Sequence, residues 1–147
     1  MSKNKLNAFL YIIPSILIAT ADQIIKNLFY TNPTTNKEVL LFDFYLSKNF
    51  GIITGIPFNY SEIVVIFISV ILAIILLQNK SYDLLVYFFL VLIGVVSNLI
   101  DKIRFGCVLD YINIFNFSHL NLSDLLICIG CILIVWKLLN KSAKRII

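Results

Sequence analysis

Two aspartates in the C-terminal part of the chain have the type and spacing to work together as acid and base. Asp110 interrupts the apolar stretch Gly-Cys-Val-Leu-Asp-Tyr-Ile, and Asp124 follows Asn-Leu-Ser fourteen residues later. Two carboxyl groups held close together do not easily both ionise, so one keeps a proton while the other acts as a base. Such a pair can activate a water molecule against a peptide carbonyl. Asp110 and Asp124 are therefore candidate catalytic residues.

Considered one at a time, the polar residues also have structural explanations. Asn121 can cap the helix that Asp124 opens, and an acid in a first turn favours the helix dipole by about 0.5–1 kcal/mol. Asp22 and Lys26 are four residues apart with the acid first, which is the order that favours a helical ion pair. A third group of polar residues follows the third apolar stretch and comprises Asn98, Asp101, Lys102 and Arg104. Its structural explanation is an interfacial belt in which the cations snorkel towards the membrane surface.

Cysteine and histidine offer little for metal or nucleophilic chemistry. Cys128 and Cys131 form a C-x-x-C pair inside an apolar run with no second ligand pair nearby, so we interpret them as packed or lipid-facing residues rather than a zinc or redox motif. Cys107 has no partner at a recognisable spacing, and His119 stands in a polar stretch that we interpret as a loop. The sequence contains neither a Gly-rich phosphate loop nor an HExxH motif.

The composition is that of an integral membrane protein. Of the 147 residues, 60% are hydrophobic and 14% are charged, and the mean hydropathy is +0.94. Soluble domains are about half apolar and about a quarter charged, and a disordered chain would be far more polar. The net charge is +4, but the basic residues are spread thinly between apolar runs, so no nucleic-acid partner is predicted. We expect one membrane-embedded domain over residues 1–147.

Four apolar stretches approach the roughly 20 residues that a helix needs to cross a bilayer. The predicted class is therefore all-α, with four transmembrane helices at residues 6–25, 61–78, 83–100 and 122–139. The first stretch, which ends near Ala-Thr-Ala, also looks like a cleavable signal peptide. The polar cluster Asp22, Gln23 and Lys26 just beyond that site favours a helix that is retained.

The basic residues orient the helices. Short segments rich in Lys and Arg are typically cytoplasmic, which predicts both termini inside and places seven of the eight acidic residues at or beyond the outer helix ends. The first outer loop, residues 27–60, is too long for a bare connection. Residues 38–48 (EVLLFDFYLSK) are rich in aromatic and aliphatic side chains with partial alternation, which is typical of strands. We expect a small β element there, lying on the membrane surface.

Five short blocks occur in an order that resembles a known family. They are Asp22-Gln-x-x-Lys26, Asn49-x-Gly51, Asn98-x-x-Asp101-Lys102, Gly106-x-Val108-x-Asp110 and Asn121-x-x-Asp124. In this order, and with four helices, the chain resembles signal peptidase II, the bacterial membrane aspartic proteases that process lipoproteins. By this resemblance Asp110 and Asp124 match the catalytic pair. The positions matching site-supporting residues are Asn49, Gly51, Asn98, Asp101, Lys102 and Asn121, together with Asp22 and Lys26 of the first-helix motif.

The resemblance implies an endopeptidase that cuts a diacylglyceryl-modified prolipoprotein just before its lipidated cysteine, without a metal or organic cofactor. It also implies a multi-pass protein of the bacterial cytoplasmic (inner) membrane, in contact with membrane lipid, with the active site on the outer side; we expect a monomer. One alternative is a small transporter or ion-relay subunit that uses the same carboxylates. A second is a non-enzymatic scaffold whose outer loop binds a partner.

Five positions depart from the family pattern, and we expect them to affect how the substrate is gripped rather than the class of reaction. The family usually has glycine, arginine, an aromatic residue, an acid and alanine where this chain has, respectively, Ser97, Lys102, Thr54, Asn113 and Ser123.

Overall fold

Three long helices and a four-stranded sheet make up the part of the chain that the computed structural model describes, residues 3–32, 37–39, 42–50, 70, 71, 74, 81–114 and 118–146. The helices are α1 (Lys3–Thr31), α2 (Tyr82–Phe105) and α3 (Leu122–Ile146). The strands are β1 (Lys37–Val39), β2 (Phe42–Asn49), β3 (Val108–Ile114) and β4 (Ser118–Leu120). The helix predicted at residues 61–78 lies mostly outside the described residues, where only Val70, Ile71 and Ile74 are described, as helical; it stays a prediction.

The helices have the length and surface of membrane spans. Segments Leu10–Thr31, Tyr82–Phe105 and Leu122–Asn140 are each long and apolar enough to cross a bilayer. Their outer faces carry large exposed apolar side chains, such as Leu17, which is 64% exposed, and Ile132, which is 66% exposed. Contiguous apolar surface of this kind is unfavourable in water and favourable against hydrocarbon. The prediction of a helical membrane protein is confirmed in this form.

The helices that meet the sheet run further than the hydrophobic stretches predict. α1 continues to Thr31 instead of residue 25, and α2 continues to Phe105 instead of residue 100. The added turns carry polar side chains that hydrogen-bond to other elements, so they do not depend on apolar surroundings. α2 ends at Gly106, whose φ of 72° is left-handed and whose N–H donates to the carbonyl of Lys102. Glycine adopts this conformation without steric cost.

α2 and α3 approach each other closely through glycines. A Cβ on Gly94 would lie 2.6 Å from the backbone oxygen of Ser123, and a Cβ on Gly130 would lie 2.6 Å from Cγ2 of Val91. Small residues allow such close packing between helices in membranes, where apolar burial alone drives little association. The buried apolar core at this contact comprises Leu84, Val86, Tyr87, Leu90, Val91 and Ile134.

The sheet extends beyond the predicted β element of the first outer loop. β1 and β2 confirm strands in that loop. β2 also pairs with β3, and β3 pairs with β4, so two strands from between α2 and α3 complete an antiparallel sheet in the order β1-β2-β3-β4. β3 shows no alternation in sequence because its first four residues are all buried, and a strand buried on both faces reads as a continuous apolar run. The interpretation of His119 as a loop residue is wrong, since it lies in β4 and pairs with Asn113.

The β2–β3 register brings polar side chains to one face of the sheet. Ser47 lies opposite Asp110, and Asn49 lies opposite Val108, beyond an irregularity in the register between Phe44 and Ser47. Directly opposed residues share a face of the sheet, and so do residues two apart on one strand. Asn49 and Asp110 therefore point to the same side, at the strand end nearest the helices.

We predict that Gly94→Ala destabilises the protein. Its Cβ would lie 2.6 Å from the Ser123 oxygen, a backbone atom, and 2.8 Å from Ile127 Cγ1, so the helices must separate. Overpacking of this kind costs about 1–3 kcal/mol. Thermal unfolding of the detergent-purified protein measures it, with Val96→Ile as the control because Val96 is 51% exposed and that change also adds one carbon. Equal melting temperatures for the two variants would contradict the close approach of the helices.

Candidate active site

Both candidate catalytic aspartates contact one asparagine. Asn121 precedes α3, and its side-chain Nδ2 donates to Oδ1 of Asp110 at 2.7 Å. Its side-chain Oδ1 accepts the N–H of Asp124 at 2.9 Å, while its own N–H donates to Asp124 Oδ2 at 3.1 Å. The last two bonds form a reciprocal cap of the helix start. The capping function of Asn121 and its contact with Asp110 therefore coexist, and together they hold the two carboxyl groups at one place.

Two further asparagines complete the hydrogen bonding of the pair. Asn49 of β2 donates through Nδ2 to Oδ2 of Asp110 at 2.9 Å, and Asn98 of α2 donates through Nδ2 to Oδ1 of Asp124 at 2.8 Å. Each carboxyl oxygen of the pair thus has a donor, and the donors come from a strand, a helix and a helix cap. Neutral amide donors favour the ionised carboxylate without adding the full charge of Lys or Arg.

The environment of Asp110 favours its protonated form. The side chain is fully buried. Burial, and next the negative charge of Asp124, raise the pKa of Asp110 to about 7, while the hydrogen bonds from Asn49 and Asn121 act in the opposite direction. The carboxyl group therefore keeps its proton below about pH 7 and loses it above. A carboxyl with such a pKa can donate or accept a proton near neutrality.

A buried ammonium lies directly behind the pair. Lys26 of α1 is 1% exposed, and its Nζ lies 2.8 Å from Oδ2 of Asp22 and 2.7 Å from Oδ2 of Asp101. The i,i+4 pair predicted from the sequence is present, but it is buried and continues to a second acid on α2 instead of lying at an exposed interface. Buried charges need close partners of this kind, because an unpaired ion loses its hydration without compensation.

The third contact of Lys26 fixes the orientation of Asn98. Nζ donates to the side-chain Oδ1 of Asn98 at 2.9 Å. Because an ammonium can only donate, the amide oxygen must face Lys26, and the NH2 group then faces Asp124. Lys26 thereby determines which end of the Asn98 amide meets the carboxyl group of Asp124.

Asp22 is bonded to both chain segments that carry the pair. Its Oδ1 accepts the Tyr111 hydroxyl at 2.8 Å and the Leu122 N–H at 3.1 Å. Tyr111 is the neighbour of Asp110, and Leu122 begins the helix that carries Asp124. Burial, followed by the charge of Asp22, raises the pKa of Tyr111, so its hydroxyl stays a donor. One carboxylate of α1 is therefore a common anchor for β3 and for the start of α3.

Two of the departures from the family pattern also contact Asp22. Ser123 donates its hydroxyl to Oδ2 of Asp22 at 2.6 Å, and Ser97 donates to the same oxygen at 3.1 Å. Gln23 in turn donates to the Ser97 hydroxyl and to Oδ1 of Asp101. Sequence reasoning missed these functions, as it missed that of Tyr111, because a serine or tyrosine in an apolar stretch shows no spacing that reveals its partner. The available signal was the pair of buried acids, which require donors.

The structure brings eight of the ten predicted site residues into two adjoining groups. Asp110, Asp124, Asn49, Asn98 and Asn121 contact one another, and Asp22, Lys26 and Asp101 form the ion network behind them. Lys102 lies in the last turn of α2, where its carbonyl accepts the Gly106 N–H. Gly51 lies outside the described residues, as does Thr54. Within the described ranges, no cluster of three or more His, Cys, Asp or Glu side chains is arranged to hold a metal ion.

The arrangement is suited to acid–base chemistry. One carboxyl group has a pKa near neutrality, a second lies close enough to raise that pKa, and asparagine donors hold the orientation of both. Such a pair can take a proton from water and supply one to a carbonyl oxygen.

Comparison with known proteins identifies relatives over most of the chain. The family model described as signal peptidase (SPase) II matches residues 14–140. The lipoprotein signal peptidase of Moorella thermoacetica is 31% identical over 145 residues, covering 92% of this chain and 96% of that protein. That of Bartonella tribocorum is 36% identical over 145 residues, covering 88% and 87%.

Solved structures agree with these sequence matches. A structure described as a bacterial membrane enzyme, determined by the in meso method at 1.9 Å resolution, has a TM-score of 0.71 at 25% identity and covers 90% of this chain and 92% of its own. A second structure of the same description, at 2.3 Å, has a TM-score of 0.71 at 27% identity. The family match, the relatives and the shared fold together show that this bacterial membrane protein belongs to the signal peptidase II family of proteases.

Proposed function

We propose that this protein is a membrane aspartic endopeptidase that removes the signal peptide from diacylglyceryl-modified prolipoproteins and cuts before the lipidated cysteine. The observation that carries the proposal is the contact of Asp110 and Asp124 with the one asparagine, Asn121. The lipoprotein signal peptidases among its relatives support the substrate class. The matched family and relatives are peptidases, and nothing in them favours a transporter or ion relay.

The placement of the pair fits a substrate held in the bilayer. The carboxyl groups lie where α2 ends and α3 begins, next to the sheet, and the apolar faces of the helices extend away from them. A diacylglyceryl group anchored in the bilayer would present the scissile bond at the same depth. Lipid attachment then supplies much of the binding, and proximity supplies part of the rate.

The distribution of basic residues supports a multi-pass protein of the cytoplasmic (inner) membrane with this site on the outer side. One chain supplies both carboxyl groups and their asparagine donors, so a single copy would hold the complete pair.

The chemistry begins with one carboxyl protonated and the other ionised. The carboxylate takes a proton from water as the water oxygen bonds to the peptide carbonyl carbon, and the protonated carboxyl donates to the carbonyl oxygen. Collapse of the tetrahedral intermediate breaks the C–N bond, and the leaving amino group of the cysteine takes a proton from the pair. The raised pKa of Asp110 suits it to hold the proton at the start, although pH dependence reports the pair as a whole.

The ion network would act by positioning. Asp101 accepts the Leu109 N–H, one residue before Asp110, at 3.3 Å, and Asp22 holds the residue after it. Lys26 neutralises part of the charge of these two acids while it orients Asn98. A positioning network of this kind keeps the pair in one geometry without touching the substrate.

The proposal predicts that Asp110→Asn and Asp124→Asn each lower the rate of cleavage by about 10²–10⁴-fold, since general acid–base catalysis contributes that much. The assay uses purified protein in detergent or bilayers with a lipidated precursor peptide, and an unlipidated copy of the peptide measures the contribution of the lipid. Asp43→Asn is the matched control, because Asp43 is a half-buried acid of β2 that lies opposite Asn113. A wild-type rate of cleavage in Asp110→Asn or in Asp124→Asn would refute the assignment of the pair.

A pH profile tests the proton of Asp110. Because its pKa is raised to about 7, cleavage should decline as the pH rises through that value and the pair loses its last proton. The Asn49 hydrogen bond lowers this pKa, so Asn49→Ala should move the alkaline limb to higher pH. Tyr45→Phe is the control, since it removes a β2 hydrogen bond to His119 instead. A limb that stays in place, or moves to lower pH, contradicts this electrostatic account.

Lys26→Met should destabilise the protein far more than Lys137→Met. The first change leaves two fully buried carboxylates without their cation, and breaking a buried pair costs roughly 3–5 kcal/mol. The second removes a pair with Asp83 that is about one-third exposed, where the loss is at most about 1 kcal/mol. Denaturant or thermal unfolding in detergent compares them. Similar losses for the two variants would show that the network is not what holds the pair.

A further inference from the structure

Two cations and two aromatic rings lie at the sheet end of the helices and form none of the hydrogen bonds described above for the aspartate pair. Tyr30 lies near the end of α1, Lys48 lies in β2, and Arg104 and Phe105 end α2. The rings of Tyr30 and Phe105 have centroids 4.5 Å apart. Lys48 Nζ lies 5.9 Å from the centroid of Tyr30, and Arg104 Cζ lies 4.9 Å from that of Phe105. These four residues are called the rim cluster below.

The rim cluster continues the apolar outer face of α2. Residues four and seven apart on a helix share a face, and the exposed apolar side chains Phe89, Val96 and Ile100 have this spacing. Arg104 is the next position along the same stripe, and its neighbour Ile103 is 77% exposed. This exposed face of α2 is therefore apolar along most of its length and cationic at the end of the helix. Aromatic and cationic residues are typical of this depth, where acyl chains give way to head groups.

The positive charge of the rim cluster is not balanced by protein acids in the described part of the chain. Lys48 and Arg104 are both exposed, and the ion pairs among the described residues involve Lys26 and Lys137 instead. A cation in the last turn of a helix interacts favourably with the dipole, which accounts for Arg104. It does not account for Lys48, which comes from a strand.

We propose that the rim cluster binds the phosphate of an anionic phospholipid. Arg104 presents a planar donor fork that matches phosphate oxygens, and Lys48 adds a second positive charge. The acyl chains of the same lipid would pack against the exposed apolar face of α2, deeper in the membrane than the rim cluster. The inference depends on the placement of the helices in a membrane and not on the proposed peptidase activity.

Native mass spectrometry of the full chain in detergent, titrated with phosphatidylglycerol or phosphatidylcholine, tests the proposal. The wild type should prefer phosphatidylglycerol. Because a basic residue near an anionic surface is worth about fivefold in affinity, Lys48→Gln with Arg104→Gln should weaken phosphatidylglycerol binding roughly 25-fold and leave phosphatidylcholine binding unchanged. Lys48→Arg with Arg104→Lys, which keeps both charges and one guanidinium fork in the rim cluster, is the matched control and should retain the preference for phosphatidylglycerol.

Photo-crosslinking locates the lipid. Phosphatidylglycerol with a photoreactive head group should label the segment around Ile103, and the glutamine double variant should lose this label. The proposal is overturned if the double variant binds phosphatidylglycerol like the wild type or if the label maps elsewhere. Displacement of the lipid by inorganic phosphate at equal concentration would also overturn the proposal. So would a glutamine double variant that melts at a lower temperature with unchanged lipid affinity, because that result is expected if the two cations only stabilise the helix end.

Discussion

The buried ammonium of Lys26 between Asp22 and Asp101 is the interaction on which the rest of the site depends. Taking three charged groups out of water is costly, and the cost is offset only when each has close partners. The partners are supplied by α2, by β3 and by the first residues of α3. Satisfying the ion network therefore requires that these elements meet in one arrangement, and that arrangement brings Asp110 and Asp124 together.

Neutral amides surround the pair, whereas the charges lie one layer further back. Asn49, Asn98 and Asn121 donate to the two carboxyl groups, and the cation reaches them through Asn98. A lysine in direct contact would favour ionisation of both acids. With amides in contact, burial and the mutual repulsion of the acids still dominate, and the pKa of Asp110 is raised to about 7. On the proposed mechanism, the separation of Lys26 from Asp110 and Asp124 would allow the pair to share one proton.

The parts of the fold that follow from local pattern were predictable, and the parts that follow from tertiary contact were not. Apolar stretches predicted α1, α2 and α3, the residue types predicted the pairing of Asp110 with Asp124, and the resemblance to the family predicted the asparagines around them. β3 was missed because burial on both faces removes the alternation that marks a strand. The hydroxyls of Tyr111 and Ser123 were missed because their acceptor, Asp22, is about a hundred residues away in sequence.

The double use of Asn121 links shape to reactivity. The Asn121 side chain caps the first turn of α3 and also donates to the carboxyl group of Asp110 in β3. If the start of α3 unwinds, both the cap and the contact between Asp110 and Asp124 through Asn121 are lost. On the proposed assignment of Asp110 and Asp124, a newly synthesised chain would cut no substrate until α3 has formed and docked against β3. For a hydrolase that works in a membrane, this coupling would make completion of the fold a condition for peptide-bond cleavage.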